Sequence, residues 1–125
     1  MRALGVSIAV GTDCNPGTSP TTDLPLCAAL AVRDAGLTME EAVLAVTVEA
    51  ARALGAPDVG QVAVGMRADL VCYDHDDPRV LAYAVGGLRA RFVWLAGHRV
   101  PTADSDIAHA VGSETLEDLN RHGLW

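Results

Sequence analysis

The run Val6-Ser7-Ile8-Ala9-Val10-Gly11-Thr12-Asp13-Cys14-Asn15-Pro16-Gly17-Thr18-Ser19 decides how the rest of the chain is read. Its first half alternates Val6, Ile8 and Val10 with small residues, which predicts a buried strand over residues 6–11. Its second half opens a loop over 12–22, because Asn-Pro-Gly is a strong turn signal. Asp13 falls at the junction, so a carboxylate is delivered to the strand's C-terminal tip. In (β/α) enzymes the chemistry sits at that end of the strands. With so little chain ahead of the strand, the sequence reads as the tail of an enzyme without its front.

Beyond the loop, Thr22 or Asp23 caps a helix expected over 23–35, with Leu26, Ala29 and Leu30 on one face. Pro25 lies in its first turn, where proline is tolerated. Gly36 ends it as a C′ residue. Thr38-Met39-Glu40-Glu41 is a capping box that opens a second helix over 39–54. Ala42, Val43, Val46, Ala50 and Leu54 recur along it at helical spacing. The β-branched run Val46-Thr47-Val48 has poor helix propensity and predicts a break near Thr47. Gly55 and Pro57 close the segment.

At Pro57 the period changes. Gly60-Gln61-Val62-Ala63-Val64-Gly65 alternates between two glycines, as a short strand between turns does. Ala68–Asp74 reads as a second strand, His75–Pro78 as a turn, and 91–100 as a hairpin turning at Ala96-Gly97-His98. The expected fold class is therefore α/β. Residues 1–57 form a β-α-α unit and 58–100 a small antiparallel sheet. Residues 101–125 form a polar tail, with one short helix over 113–121.

Bulk composition narrows the function classes. The chain has 125 residues, half of them apolar, and mean hydropathy is positive, so it is expected to fold. Only one Phe, two Tyr and two Trp are present, and Ala, Val and Leu dominate, which suits close-packed helices and buried strands. A net charge of −7 with no basic run argues against nucleic acid and anionic membrane as partners. No apolar run reaches the roughly 18 residues of a membrane span. Cys14, Cys27 and Cys72 are scattered without a C-x-x-C pair, which points to reduced thiols and a cytoplasmic location.

Two segments together carry a family resemblance. Thr12-Asp13-Cys14-Asn15-Pro16-Gly17-Thr18-Ser19 resembles the substrate loop of the imidazolonepropionase family. Asp58-Val59-Gly60 with Gly65-Met66-Arg67-Ala68-Asp69-Leu70-Val71 resembles the return of the wider amidohydrolase superfamily into its small β-sandwich. The second string alone indicates only the superfamily; the first separates this family from its cousins. The resemblance covers about residues 4–100. It implies the last strand and helices of a TIM-type barrel, followed by a β-sandwich segment. It also implies hydrolysis of 4-imidazolone-5-propanoate to N-formimidoyl-glutamate in histidine breakdown, with one Zn²⁺ or Fe ion as cofactor. Asp13 then corresponds to a metal ligand and the general base. Asn15, Gly17 and Thr18 correspond to substrate contacts.

Elementary chemistry suits those roles. A cyclic amide is a poor electrophile, so a metal that lowers a water's pKa toward about 7 is useful. A carboxylate beside that water can take its proton and pass it to the leaving nitrogen. Asn15 offers a donor and an acceptor on a short stem, Gly17 permits close backbone approach, and Thr18 adds a hydroxyl. The simpler roles are also open. Asp13 fits a turn or cap, Cys14 a small packing residue, Asp69 a turn or strand-edge residue, and Tyr73 and Trp94 sandwich core or rim. His75, His98, His109 and His122 read as surface residues. No two histidines are separated by one residue, so the superfamily's His-x-His metal pair is absent. A catalytic Zn²⁺ takes about three protein ligands, and one aspartate does not supply them. The segment after the sandwich turn, Tyr83-Ala84-Val85-Gly86-Gly87-Leu88, also departs from the family pattern, which bears on substrate selection.

The expectation is thus a fragment of an imidazolonepropionase, inactive alone, acting on a small-molecule substrate. Two alternatives stand beside it: a non-catalytic α/β module or partner subunit, and another cyclic-amide amidohydrolase. A lone apolar strand is a dimerisation hazard, so a homo-oligomer or a partner chain is expected.

Overall fold

A computed structural model describes residues 5–102. Its elements in chain order are α1 (Leu24–Ala35), α2 (Met39–Ala45), α3 (Val48–Ala53), β1 (Leu70–Cys72), α4 (Val80–Tyr83), β2 (Phe92–Leu95) and β3 (His98–Val100). The helix expected over 113–121 lies outside the described residues.

The two long helical signals form as their caps dictate. Asp23 accepts from the Leu26 amide at 3.0 Å and starts α1, with Pro25 in the first turn. Gly36 ends it at φ +72°, a left-handed conformation that glycine adopts at no steric cost. The Thr38 hydroxyl accepts from the Glu41 amide at 3.1 Å, and Glu41 Oε2 accepts from the Thr38 amide at 2.7 Å. The capping box is therefore complete.

The second helix is broken where the β-branched run stands. α2 stops at Ala45 and α3 begins at Val48, and the Thr47 hydroxyl turns back to donate to the Val43 carbonyl at 2.7 Å. Gly60 lets the chain pass close to this break. Its φ is +91°, and a Cβ there would stand 2.7 Å from Ala51 Cβ and 2.9 Å from the Thr47 carbonyl oxygen. The descending chain rests against the interrupted helix through a bare backbone.

The core is built from alanine. Ala28, Ala42, Ala45 and Ala82 join Leu37, and Ile8, Val10, Ala31, Val32, Met39 and Val46 pack around them. Small side chains let α1, α2 and α4 approach closely, and these three helices pack on one another. The buried stripe of α1 centres on Ala28 and Ala29, whereas Leu26 and Leu30, expected beside Ala29, are only half-buried. Leu54, expected on the inner face of the second helix, is 82 % exposed because it lies past the end of α3.

Three expectations are corrected. Residues 6–11 carry no β-ladder, since no strand among the described residues lies beside them. Ile8 and Val10 still pack on the helices, and the Val10 amide donates to the Ala45 carbonyl at 3.0 Å. Residues 60–65 form no strand either. Val62 and Val64 point into solvent, and the segment turns at Ala63–Met66 instead of pairing. The antiparallel region expected over 60–100 is interrupted by α4. Asp77-Pro78 opens that turn, with Asp77 accepting from Arg79 and Val80 amides, and Ala82 is buried against α1 and α2.

What remains of the sheet has order β1-β2-β3, antiparallel throughout. Leu70 pairs with Trp94, and Val71 with Val93, which in turn faces Val100. The hairpin turns at Ala96-Gly97, both at positive φ (+48° and +81°), as a two-residue I′ turn requires. It is a single layer; no second sheet is present among the described residues.

Candidate functional site

The loop after Gly11 is built around one side chain. Asn15 Oδ1 accepts from the Gly17 amide at 3.0 Å, the Thr18 amide at 2.9 Å and the Thr18 hydroxyl at 3.2 Å. Asn15 Nδ2 donates to the Asp13 carbonyl at 2.7 Å. The Asn15 amide donates to the Ser19 carbonyl at 3.0 Å. Ser19 then donates its hydroxyl to the Thr12 carbonyl at 2.6 Å and closes the loop at its base. Proline at position 16 supplies no amide and needs no acceptor. The structure thus brings Asp13, Asn15, Gly17 and Thr18 into one local unit.

Asp13 sits at φ +48°. That left-handed conformation costs a non-glycine residue of order 1 kcal/mol, although Asp and Asn visit it more readily than most. Its carboxylate is exposed, and no hydrogen bond or ion pair engages it among the described residues. Gly17 needs no special backbone conformation. A Cβ there would lie 3.4 Å from Asn15 Oδ1, in ordinary contact. The hollow along α3, lined by Val48, Ala51, Arg52, Pro57 and Gln61 among others, includes no residue of this loop.

Cys14 was expected to pack; its thiol is exposed instead. Only Ile8 and Val10 of this segment reach the helical core, and the chain has left it by residue 14. Cys27 lies in α1, where burial first and Asp23 second push its thiol up from the ordinary range. His75 and His98 are exposed, as expected; His109 and His122 lie outside the described residues. Asp69 is a turn residue: its Oδ1 accepts from the Ala96 amide at 2.7 Å, and its Oδ2 accepts from Arg67 Nε at 2.8 Å. Trp94 is half-buried on the central strand β2, between Leu70 and Arg99, its ring 5.8 Å from that of Phe92. Tyr73 is half-buried too, and burial, then the charge of Asp23, raises its phenol above the usual range.

Ser19 is the loop residue that sequence reasoning missed. Its contact with Thr12 spans seven positions, and no local motif announces it.

A metal ion does not fit the described residues by themselves. No group of three His, Cys, Asp or Glu side chains among them is placed to hold one. Asp13 offers a single carboxylate, and a catalytic zinc needs about three protein donors.

Residues 1–101 match the amidohydrolase family, and the chain belongs to it. Within that family it resembles imidazolonepropionases. The imidazolonepropionase of Deinococcus deserti is 52% identical over 96 residues, 77% of this chain and 24% of the relative. That of Streptomyces griseus is 46% identical over 96 residues, 77% of this chain and 25% of the relative. That of Rhodococcus jostii is 48% identical over 93 residues, 74% of this chain and 23% of the relative. The chain therefore spans about a quarter of the length of these relatives.

Proposed function

We propose that this chain supplies the Asp13 loop of an imidazolonepropionase-type hydrolase, the last strand and helices of its TIM-type barrel, and part of its small β-sandwich. Residues 1–57 would be the barrel portion and 58–100 the sandwich portion, with 101–125 a polar tail. The reaction is hydrolytic opening of 4-imidazolone-5-propanoate to N-formimidoyl-glutamate, in the cytoplasm, as a step of histidine breakdown. The observation that carries this is the Asp13–Ser19 loop: its carboxylate is exposed and has no partner among the described residues, and it lies inside the 1–101 match.

In this reading Asp13 is the general base. It takes a proton from the attacking water and delivers it to the ring nitrogen as the C–N bond breaks. Asn15 keeps one Nδ2 hydrogen beyond the one given to Asp13, and this faces a substrate acceptor. Gly17 and Thr18 lie beside it and contact the substrate's polar groups. The family's Zn²⁺ or Fe would count Asp13 among its ligands, and the remaining donors are not among the described residues.

The isolated chain is accordingly expected to be inactive and to bind no stoichiometric metal. Elemental analysis after purification and the loss of imidazolone absorbance check both. Joined to the remaining three quarters of the Deinococcus deserti relative, the chain should support turnover. Asp13→Asn should then lower kcat by several orders of magnitude, because the substitution keeps shape but removes the charge that accepts the proton. Turnover by the isolated chain, or an Asp13→Asn fusion as active as its parent, would overturn the reading. Cys14→Ala should change little; a loss equal to that of Asp13→Asn would point to a thiol mechanism.

A second reading, a non-catalytic module assembling with a partner chain or a second copy of itself, draws on the exposed Leu54, Val62 and Val64. Equilibrium sedimentation tests the self-assembling form of this reading, which a monomer at every concentration would overturn, and turnover of the fusion decides between the two readings.

A further inference from the structure

We infer that Asn15 is a positioning residue, which fixes the backbone of Asp13 and through it the direction of the carboxylate. The inference rests on the reading of Asp13 as the working carboxylate, and it is tested without relying on turnover.

Three observations converge on it. Asp13 holds a left-handed backbone at φ +48°, which is disfavoured for any side chain larger than glycine's. The Asn15 Nδ2 donation to the Asp13 carbonyl, at 2.7 Å, ties the far side of that same residue. The Asn15 carboxamide cannot swing away, because its oxygen is held by the Gly17 amide, the Thr18 amide and the Thr18 hydroxyl. A two-sided clamp results. The oxygen half anchors the side chain to the outgoing loop, and the nitrogen half grips the incoming residue. Among the other polar groups of this loop, Ser19 holds Thr12, one residue earlier, and does not reach Asp13.

Asn is the residue type that this clamp demands. Aspartate offers the same acceptor oxygen but no donor, and would set a second negative charge against a carbonyl oxygen. Serine reaches neither partner at once. Substitution therefore separates the two halves. Asn15→Asp keeps the grip on Gly17 and Thr18 and loses the one on Asp13, whereas Asn15→Ala loses both. A purely structural role in the loop would move both readouts together in both variants.

The test is solution NMR on the full 125-residue chain. In the unsubstituted protein, Asp13 should show the strong intraresidue amide-to-Hα Overhauser effect of a positive φ, and one Asn15 Nδ2 proton should exchange slowly. In Asn15→Ala the Asp13 signature should disappear, and Gly17 and Thr18 amide exchange should rise about tenfold. In Asn15→Asp the Asp13 signature should again disappear, while Gly17 and Thr18 exchange at the parent rate. Persistence of the positive φ at Asp13 in either variant overturns the inference. So does free exchange of both Asn15 Nδ2 protons in the unsubstituted chain, a result that needs no variant to fold. Failure of the proposed hydrolase activity would show in the fused enzyme and leave these measurements unchanged.

Discussion

The helical layer and the sheet close in different ways. α1, α2 and α4 meet through alanines exposed by no more than a few per cent, so their backbones approach and each side chain is enclosed. The three strands enclose nothing comparable: Val71 and Leu95 are 53% and 55% exposed. The sheet is held by cross-strand pairs and by its turn. Phe92 carries Arg99 over its ring at 4.4 Å and Arg91 at 5.3 Å, which shields one face with cations rather than with a packed layer. A helix satisfies its own backbone and needs only small partners to pack. A sheet needs a second layer to bury a face, and among the described residues no helix packs on these strands. The helical layer should therefore be the stable unit and the sheet the first to open.

The largest expected effect breaks the helical layer at its tightest point. Gly60→Ala places a methyl against Ala51 and the Thr47 carbonyl while φ stays at +91°. Overpacking and backbone strain together should cost about 3 kcal/mol. Thermal unfolding followed by circular dichroism checks this. A loss below about 1 kcal/mol would mean that the chain moves off the helix break easily. Thr38→Ala tests the same layer more gently. It removes the hydroxyl half of the capping box and should cost about 1 kcal/mol. Both should lower helix and sheet signals together if the sheet depends on the helices.

The sheet is tested at its turn. Ala96 takes φ +48° in a position that glycine or asparagine suits better. Ala96→Gly should stabilise the hairpin by roughly 0.5 kcal/mol. Hydrogen exchange of β2 and β3 amides should slow, with the α1 and α2 amides unchanged. Slowing throughout the chain would mean that sheet and helices open as one, and would erase the distinction drawn above.

Legibility in the sequence follows the same division. Asp23, Gly36, Thr38 and the Val46-Thr47-Val48 run act on their own neighbours, so α1, α2 and the break were readable. The hairpin was readable because its turn is local. Residues 6–11 and 60–65 carry strand patterns equally clear, yet a strand exists only where a second one pairs with it, and pairing is not written in the run itself. α4 was missed because four residues make too short a period to detect. In the candidate site, Asp13, Asn15, Gly17 and Thr18 were legible as one motif. The direction of the bonds among them was not. Asn15 turns its oxygen inward to the loop, a choice fixed by three donors that converge only after the chain has turned.

Acid should separate the two regions with the smallest effect. Asp77, before α4, is held down to about 2, chiefly by the Arg79 side chain and then by the Arg79 amide. Asp69, at the sheet, is also held below the ordinary carboxylate range, first by the Ala96 amide and then by Arg67. Both carboxylates are ionised more easily folded than unfolded. Each therefore stabilises the fold above the ordinary value near 4 and loses that contribution as pH falls through its folded value. For Asp77 the loss runs from about pH 4 down to about pH 2. Both groups are exposed, so the effect is small and weakens with salt. What distinguishes them is the partner. Asp77 is held mainly by a neighbouring side chain, whereas Asp69 Oδ1 grips an amide in a turn that carries the whole hairpin. Acidification should therefore expose β2 and β3 amides to exchange while α1 and α2 remain protected, and Asp69→Asn should reproduce that pattern at neutral pH. If α1 and α2 open with the hairpin in acid, the sheet is not the separate unit that its uncovered faces describe.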